Sequence, residues 1–366
     1  MQSSGWKTLR LGDFVSLQRG HDLPSRIRVD EGIPVMGSAG VSGYHNEIKA
    51  KGPGVTIGRS GVGSMGVVCY SPVDYWPLNT TLYVKDFHGN NPLFAYYFLK
   101  TINFRNLNSG SAQASLNRNI VHRLEITVPP RNIQDRIADI LSSLDAQIDL
   151  LHRQNKTLET IAQTLFHHWF VDSAANAWEE KPLDEAASFL NGLACQKYPP
   201  ENDMDRLPVL KIRELRTGIS DKTDWATKNV PPQYIVENGD VIFSWSGSLM
   251  VKIWNGAQCV LNQHLFKVTS DFPKWFYYFW TIHYLQKFIA IAESKATTMG
   301  HIKRRDLSSS MVLVPSSDEL AEMDISMSPL LDKIITNYKQ SRTLENLRDT
   351  LLPKLMSGMV RMQDQG

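Results

Sequence analysis

Cysteine is scarce in this chain. Its 366 residues hold three, Cys69, Cys195 and Cys259, far apart and in no C-x-x-C pair, which argues against a disulfide framework or a cysteine zinc site and fits a reducing cytoplasm. Long apolar runs are also missing. No stretch approaches the ~20 residues of a membrane span, and the opening MQSSGWKTLRLGDF lacks the apolar core of a secretory signal. The expectation is a cytoplasmic protein, neither secreted nor membrane-embedded. A surplus of one charge is absent too: 39 basic residues stand against 37 acidic ones, so affinity for nucleic acid would have to come from local patches.

Catalytic signatures are equally thin. There is no P-loop, no G-x-S-x-G and no amino-methyltransferase N-P-P-Y/F or D-P-P-Y/F; NVPPQY and TVPPRN lack an acid or amide directly before the prolines. Gly61-x-Gly63-x-x-Gly66 has the letters of a dinucleotide fingerprint, but strand formers Val67, Val68, Cys69 and Tyr70 follow where a helix should open. It reads as a glycine-rich hairpin loop, and no cofactor is expected. His167 and His168 are helix neighbours pointing ~100° apart, unlike the i, i+4 pairs of zinc helices, and are read as structural. Glu47-Ile-Lys49 has the E-x-K form of magnesium nucleases without a nearby upstream P-D. It supports only an alternative, a chain with intrinsic nuclease activity. No catalytic residue and no metal site are expected.

What the sequence does contain is a long internal repeat. WKTLRLGDFVSLQRG from Trp6 returns as WEEKPLDEAASFLNG from Trp178 (178 − 6 = 172). GVTIGRSG ending at Gly61 returns as DVIFSWSG ending at Gly247, and KTLE from Lys156 as RTLE from Arg342, both at offset 186 (247 − 61; 342 − 156). Each copy is a globular part followed by a helix. Short β-branched runs such as GVTIG, TLYVKDF and DVIFSW predict strands joined by turns, and PLFAYYF and PKWFYYF predict a helix on each sheet. The fold expected is α/β of mixed topology, with globular domains at 1–130 and 176–315, helices at 131–175 and 316–358, and a tail at 359–366.

From Ile137 to Trp169 apolar residues recur at alternating spacings of four and three, broken only by Asn155. This is a coiled-coil seam of about 50 Å at ~1.5 Å per residue, and a buried Asn in it demands a partner. Leu331, Ile335, Tyr338, Leu344, Leu351 and Leu355 form a less regular second seam, with Pro353 expected to kink or end the helix. Neither seam can bury itself, so an antiparallel pair is predicted.

Two basic clusters occupy equivalent places, SLNRNIVHR from Ser115 and GHIKRRD from Gly300. Such side chains neutralise phosphates and hydrogen-bond base edges. Together with the glycine-rich loops they nominate Arg59, Ser60, Gln113, Asn117, Arg118 and Arg123 in the first copy, and Trp245, Ser246, His301, Lys303, Arg304 and Arg305 in the second. Phe166, Trp169 and Phe170 are nominated as anchors for a partner subunit.

The tandem unit, with IGRSGVGSMGVV, the helix end QTLFHHWFVD and the terminal RTLENLRDTLLPKLMSG, resembles the specificity subunit of type I restriction-modification systems. The resemblance implies two target recognition domains, each reading one half of a bipartite asymmetric site in double-stranded DNA. It further implies spacer helices that dock two DNA adenine methyltransferase (modification) subunits. S-adenosylmethionine belongs to those subunits, and a restriction/motor subunit completes the assembly. Two modules on a rod can reach major-groove segments about 34–36 Å apart. A coiled-coil protein that binds other proteins and no DNA is the remaining alternative.

Overall fold

The computed structural model describes residues 5–61, 63–107, 115–173, 177–294 and 300–360. The chain divides into two compact units, Met1–Gln147 with Glu345–Gly366, and Ile148–Leu344. Each unit therefore contains one globular part and a section of both long helices.

In the first unit an antiparallel sheet runs in the order Ser16–Arg19, Thr81–Asp86, Gly54–Gly58, Val68–Ser71. A smaller sheet places Ile33–Gly37 between antiparallel Gly40–His45 and parallel Trp76–Pro77, and Lys7–Arg10 pairs with Glu125–Val128 to close the part. The second unit repeats this. Its larger sheet is Ser188–Asn191, Leu265–Thr269, Val241–Ser244, Met250–Ile253. Its smaller sheet has Arg206–Leu210 between Trp225–Thr227 and Cys259–Leu261, with Ile235–Val236 added at the outer edge, and Glu179–Pro182 pairs with Met311–Val314. Even the register is kept: Lys7 faces Val128 and Glu179 faces Val314.

Gly20 and Gly192, matched in the repeat, show why the small residue recurs. A Cβ at Gly20 would lie 2.1 Å from the Leu78 carbonyl oxygen, and one at Gly192 would lie 2.3 Å from that of Asn262. The units differ most in one connection. Ser38 and Ala39 alone join the paired strands of the first small sheet, whereas residues 211–224, including a helix Ile212–Thr217, join those of the second.

The aromatic runs form the helices Pro92–Lys100 and Lys274–His283 against the larger sheets. Asn91 caps the first by accepting from the N–H groups of Leu93 and Phe94. The central helix, Arg131–His167, ends in one wider π turn, His168–Asp172, where the Ser173 N–H bonds the His168 carbonyl. The C-terminal helix is Ser317–Met356. It passes through Pro353 and stops one turn later, because Leu355 and Met356 are buried in the first unit's core and that packing outweighs one lost hydrogen bond.

The helices pair antiparallel, as the contacts inside each unit show. In the first unit Arg348 donates to Asp145 at 2.8 Å, and Asp145 also accepts from the Tyr97 hydroxyl at 2.6 Å. In the second, Ile148, Leu151 and Ala162 are buried on the central helix, and Met327, Leu331 and Ile334 on the other. The partner that Asn155 demands is Asn337, whose amide donates to it at 2.9 Å, while Asn155 donates to the Ile334 carbonyl at 3.2 Å. Alongside, His152 bonds the Ser341 hydroxyl, and Tyr338 donates to Glu159, whose carboxyl is pushed above its usual range by burial. The second seam thus differs from expectation. Ile335 and Tyr338 are half-buried, and Ile334, Asn337 and Ser341 take the innermost positions.

Candidate nucleic-acid interface

The structure gathers most of the nominated residues into one loop cluster per unit, built the same way twice. In the first, Ser60 bridges Ser115, and the Leu116 N–H bonds the Arg59 carbonyl at 2.9 Å. In the second, Ser246 bridges His301, and the Ile302 N–H bonds the Trp245 carbonyl at 3.1 Å. All four positions are related by the same offset, 186 (246 − 60; 301 − 115). The glycine-rich loop after the central strand is thereby fastened to the segment that leads into a short basic helix, Arg118–His122 or Arg304–Ser308. Gly61, Gly63 and Gly66 all adopt positive φ within the connection of an antiparallel hairpin, Gly54–Gly58 with Val68–Ser71. This is the loop read from the sequence.

On this shared frame the side chains diverge. Arg59 and Ser60 are half-buried in the first cluster. Asn117 uses its side-chain oxygen to cap the short helix, accepting from the Asn119 N–H at 2.9 Å, and Arg118 is exposed on the first turn. Arg123 lies apart. It follows the last residue of that helix, about 9 Å along the axis from Asn117 at ~1.5 Å per residue, next to the closing strand. Gln113 lies outside the described residues. In the second cluster the Trp245 indole donates to Asn191 at 3.0 Å, stacks on Phe266 and packs near His264 and His301. Ser246 is buried and bonds His264 Nδ1 at 3.1 Å. Lys303, Arg304 and Arg305 are exposed at the start of the short helix.

The cations carry the electrostatics. Among the described residues no carboxylate forms an ion pair with Arg59, Arg118, Arg123, Lys303, Arg304 or Arg305, which leaves them available to phosphate. Arg304 borders a cavity with Asp184 and Asp271. His122 faces inward from the first basic helix and accepts the Leu17 N–H at Nε2, 2.9 Å. Burial, and then the nearby Arg118 charge, lower its pKa.

Several neighbours escaped the sequence reading. Asn191 and His264 flank Trp245, and the Ser38 hydroxyl donates to the carbonyls of Ser60 and Thr80, tying the small sheet to the first cluster. The repeat places Asn191 where the first unit has Arg19 (191 − 172) and His264 where it has Thr80, positions that carry no motif of their own.

The nomination of Phe166 and Phe170 as partner anchors is corrected. Both are 4% exposed and lie in the second unit's own core, Phe170 against Trp178, Trp275, Phe276 and Trp280, and Phe166 against Phe279 and Trp280. Trp169 packs half-buried near Trp275. A seam that ends in aromatics was docking its own domain. His167 and His168 are exposed, and His167 pairs with Asp172 at 3.2 Å.

Glu47 and Lys49 are 4.0 Å apart with the carboxylate side chain 69% exposed, and Lys49 sits over the Trp76 ring. Among the described residues no group of three or more His, Cys, Asp or Glu is placed to hold a metal ion, and no helix is long and apolar enough to cross a membrane.

Comparison with known proteins agrees with the duplicated frame. A 26% identical relative over 302 residues, covering 74% of this chain and 69% of its own, is the type I restriction enzyme MjaIX specificity subunit of Methanocaldococcus jannaschii. The EcoBI specificity subunit of Escherichia coli is 23% identical over 53% of this chain and 41% of its own. The crystal structure of a type I restriction-modification S subunit from M. genitalium shares the fold, with a TM-score of 0.66 at 17% identity over 97% of both chains. The family model described as type I restriction modification DNA specificity domain matches twice, over residues 3–160 and 176–346. Both copies of the repeat carry that domain, and the chain belongs to the type I restriction-modification specificity subunit family.

Proposed function

We propose that this chain reads DNA sequence for a type I restriction-modification complex, each unit recognising one half of a bipartite, asymmetric site, with no catalytic centre of its own. The observation that carries this reading is the loop cluster built twice on one frame with different side chains at matching positions: Arg59, Ser115 and Asn117 in one, Trp245, His301 and Lys303 in the other. Identical frames place the readers alike, and unlike readers select unlike half-sites. Unpaired Arg and Lys bind phosphate and set register, while the loop residues meet base edges.

The near balance of charge supports weak affinity for the chain alone, with further phosphate contacts coming from two adenine-methylating modification subunits, which also hold S-adenosylmethionine. A restriction/motor subunit joins them. With Phe166 and Phe170 committed to the core, docking falls to the outward side of the central helix, where Ile140, Leu150 and Ile161 are 36%, 38% and 44% exposed.

Exchanging the first globular part for that of another family member, then mapping methylated adenines by single-molecule sequencing, tests the division of labour. One half-site should change and the other persist; joint change overturns the reading. Purified chain incubated with DNA and magnesium should leave the DNA intact, and cutting would reinstate the nuclease alternative.

A further inference from the structure

A cavity of about 520 Å³ opens in the second unit, within the size range of ordinary ligand sites. Two of its lining residues, Cys195 and Asn262, occupy repeat positions that have changed. The first unit closes a small apolar core with Leu23, Trp76 and Leu78. Matching bridges, His21 with Leu78 and Leu193 with Asn262, Val35 with Trp76 and Val209 with Val260, identify the counterparts as Cys195, Val260 and Asn262. Each replacement removes volume or adds polarity. The 211–224 connection, absent from the first unit, then supplies a wall.

The lining is chemically specific. Asn262 is only 5% exposed and borders the cavity beside Cys195, whose thiol donates to the Leu193 and Leu261 carbonyls. A buried amide where the sibling domain has leucine is a net cost unless its donors and acceptor find partners. Trp225 forms a side of the cavity, is 42% exposed, and is held by the Arg206 guanidinium 4.3 Å from its ring. At the mouth Lys211 pairs with Asp224, and Lys222 is offset by Asp221. Balanced charges disfavour a free anion. An aromatic face beside amides suits a flat, uncharged, polar heterocycle.

The cavity also adjoins the loop cluster along the chain. Asn262 is two residues before His264, and Lys252 ties the inserted segment to the strand after the glycine-rich loop by donating to the Arg216 carbonyl at 3.3 Å. We propose that it receives one nucleobase rotated out of the DNA read by the second unit, stacked on Trp225 and hydrogen-bonded by Asn262 and Gln196. This rests on the function proposed above. A stacked base cannot enter; an extrahelical one can, and it meets on Trp225 the contact it loses in the duplex.

The test uses the full chain assembled with its modification subunits and duplexes carrying 2-aminopurine at successive positions of the second half-site. At one position fluorescence should rise several-fold on binding. Trp225→Ala and Asn262→Leu, the latter installing the first unit's residue and so preserving the fold, should abolish that rise and weaken binding roughly tenfold, as loss of one stacked base does. A rise that both variants keep, or no rise while specific DNA is still bound, overturns the cavity proposal and leaves the proposed function standing. Loss of all sequence-specific binding by the unmutated complex overturns both. Free nucleosides form the last arm: if they bind the chain, by saturation-transfer NMR, and no rise occurs on DNA, the ligand is a soluble nucleoside and the extrahelical base is excluded.

Discussion

The two loop clusters share the bridge and the backbone hydrogen bond that fasten them and few of the side chains that face outward. Ser60 with Ser115 and Ser246 with His301 are the same bridge, yet Arg59 stands where the other unit has Trp245. The difference separates what a recognition domain must keep from what it can vary. Glycines that admit a crossing carbonyl, the closing strand pair and the docking of a helix end are kept. The tips vary, down to a connection that grows from Ser38 and Ala39 to residues 211–224.

The largest way to break the comparison lies at the helix ends. Phe170 docks the central helix in the second unit, and at offset 186 (356 − 170) Met356 docks the C-terminal helix in the first. Phe170→Ala should cost about 3–5 kcal/mol and Met356→Ala about 2–5 kcal/mol, each lowering, in calorimetry of the whole chain, only the transition of its own unit. Next come Gly20→Ala and Gly192→Ala. Both force a methyl group into a backbone carbonyl, and each should destabilise by about 1–3 kcal/mol or more; a harmless outcome at one would show that the frames are not equivalent. A smaller effect separates phosphate contact from base readout. Arg118→Ala or Arg304→Ala should weaken binding evenly across sequences and reduce the salt slope of log K by about 0.9 per phosphate lost, measured by fluorescence anisotropy. The smallest is specific to one unit. His122 must be neutral at Nε2 to accept the Leu17 N–H, and its lowered pKa means that the unfolded chain binds the proton more readily. The first unit should hold its full His122-linked stability above the ordinary histidine value, about 6.5, and lose it as pH falls from there through the lower value of the folded state. The second unit, with Ser308 bonded to Asp184 at the matching place, should lack this term. His122→Gln should flatten the acid limb in pH-dependent melting.

Periodicity made much of this legible. The repeat, the mixed fold and the central seam from Ile137 to Trp169 can be read from spacing alone, and Asn155 announced its need for a partner. Asn337 and Ser341 could not be read, because an apolar template passes over polar residues that are buried through each other's hydrogen bonds. Phe166 and Phe170 misled for a related reason. Spacing says that an aromatic will be buried, but not against what, and the answer lies in a helix more than a hundred residues later in the chain. Strand order and the wall formed by residues 211–224 depend on pairings distant in sequence, which local patterns do not encode.

Because residues 345–356 complete the first unit while the second is continuous from 148 to 344, synthesis and folding run out of step. The ribosome makes the first globular part early, yet the apolar stripe around Ile137 and Leu141 stays uncovered until Leu355 and Met356 emerge. A nascent chain stalled before that point carries a sticky, unfinished surface for chaperones and proteases to find, so only a molecule translated past both helices is released with that surface closed.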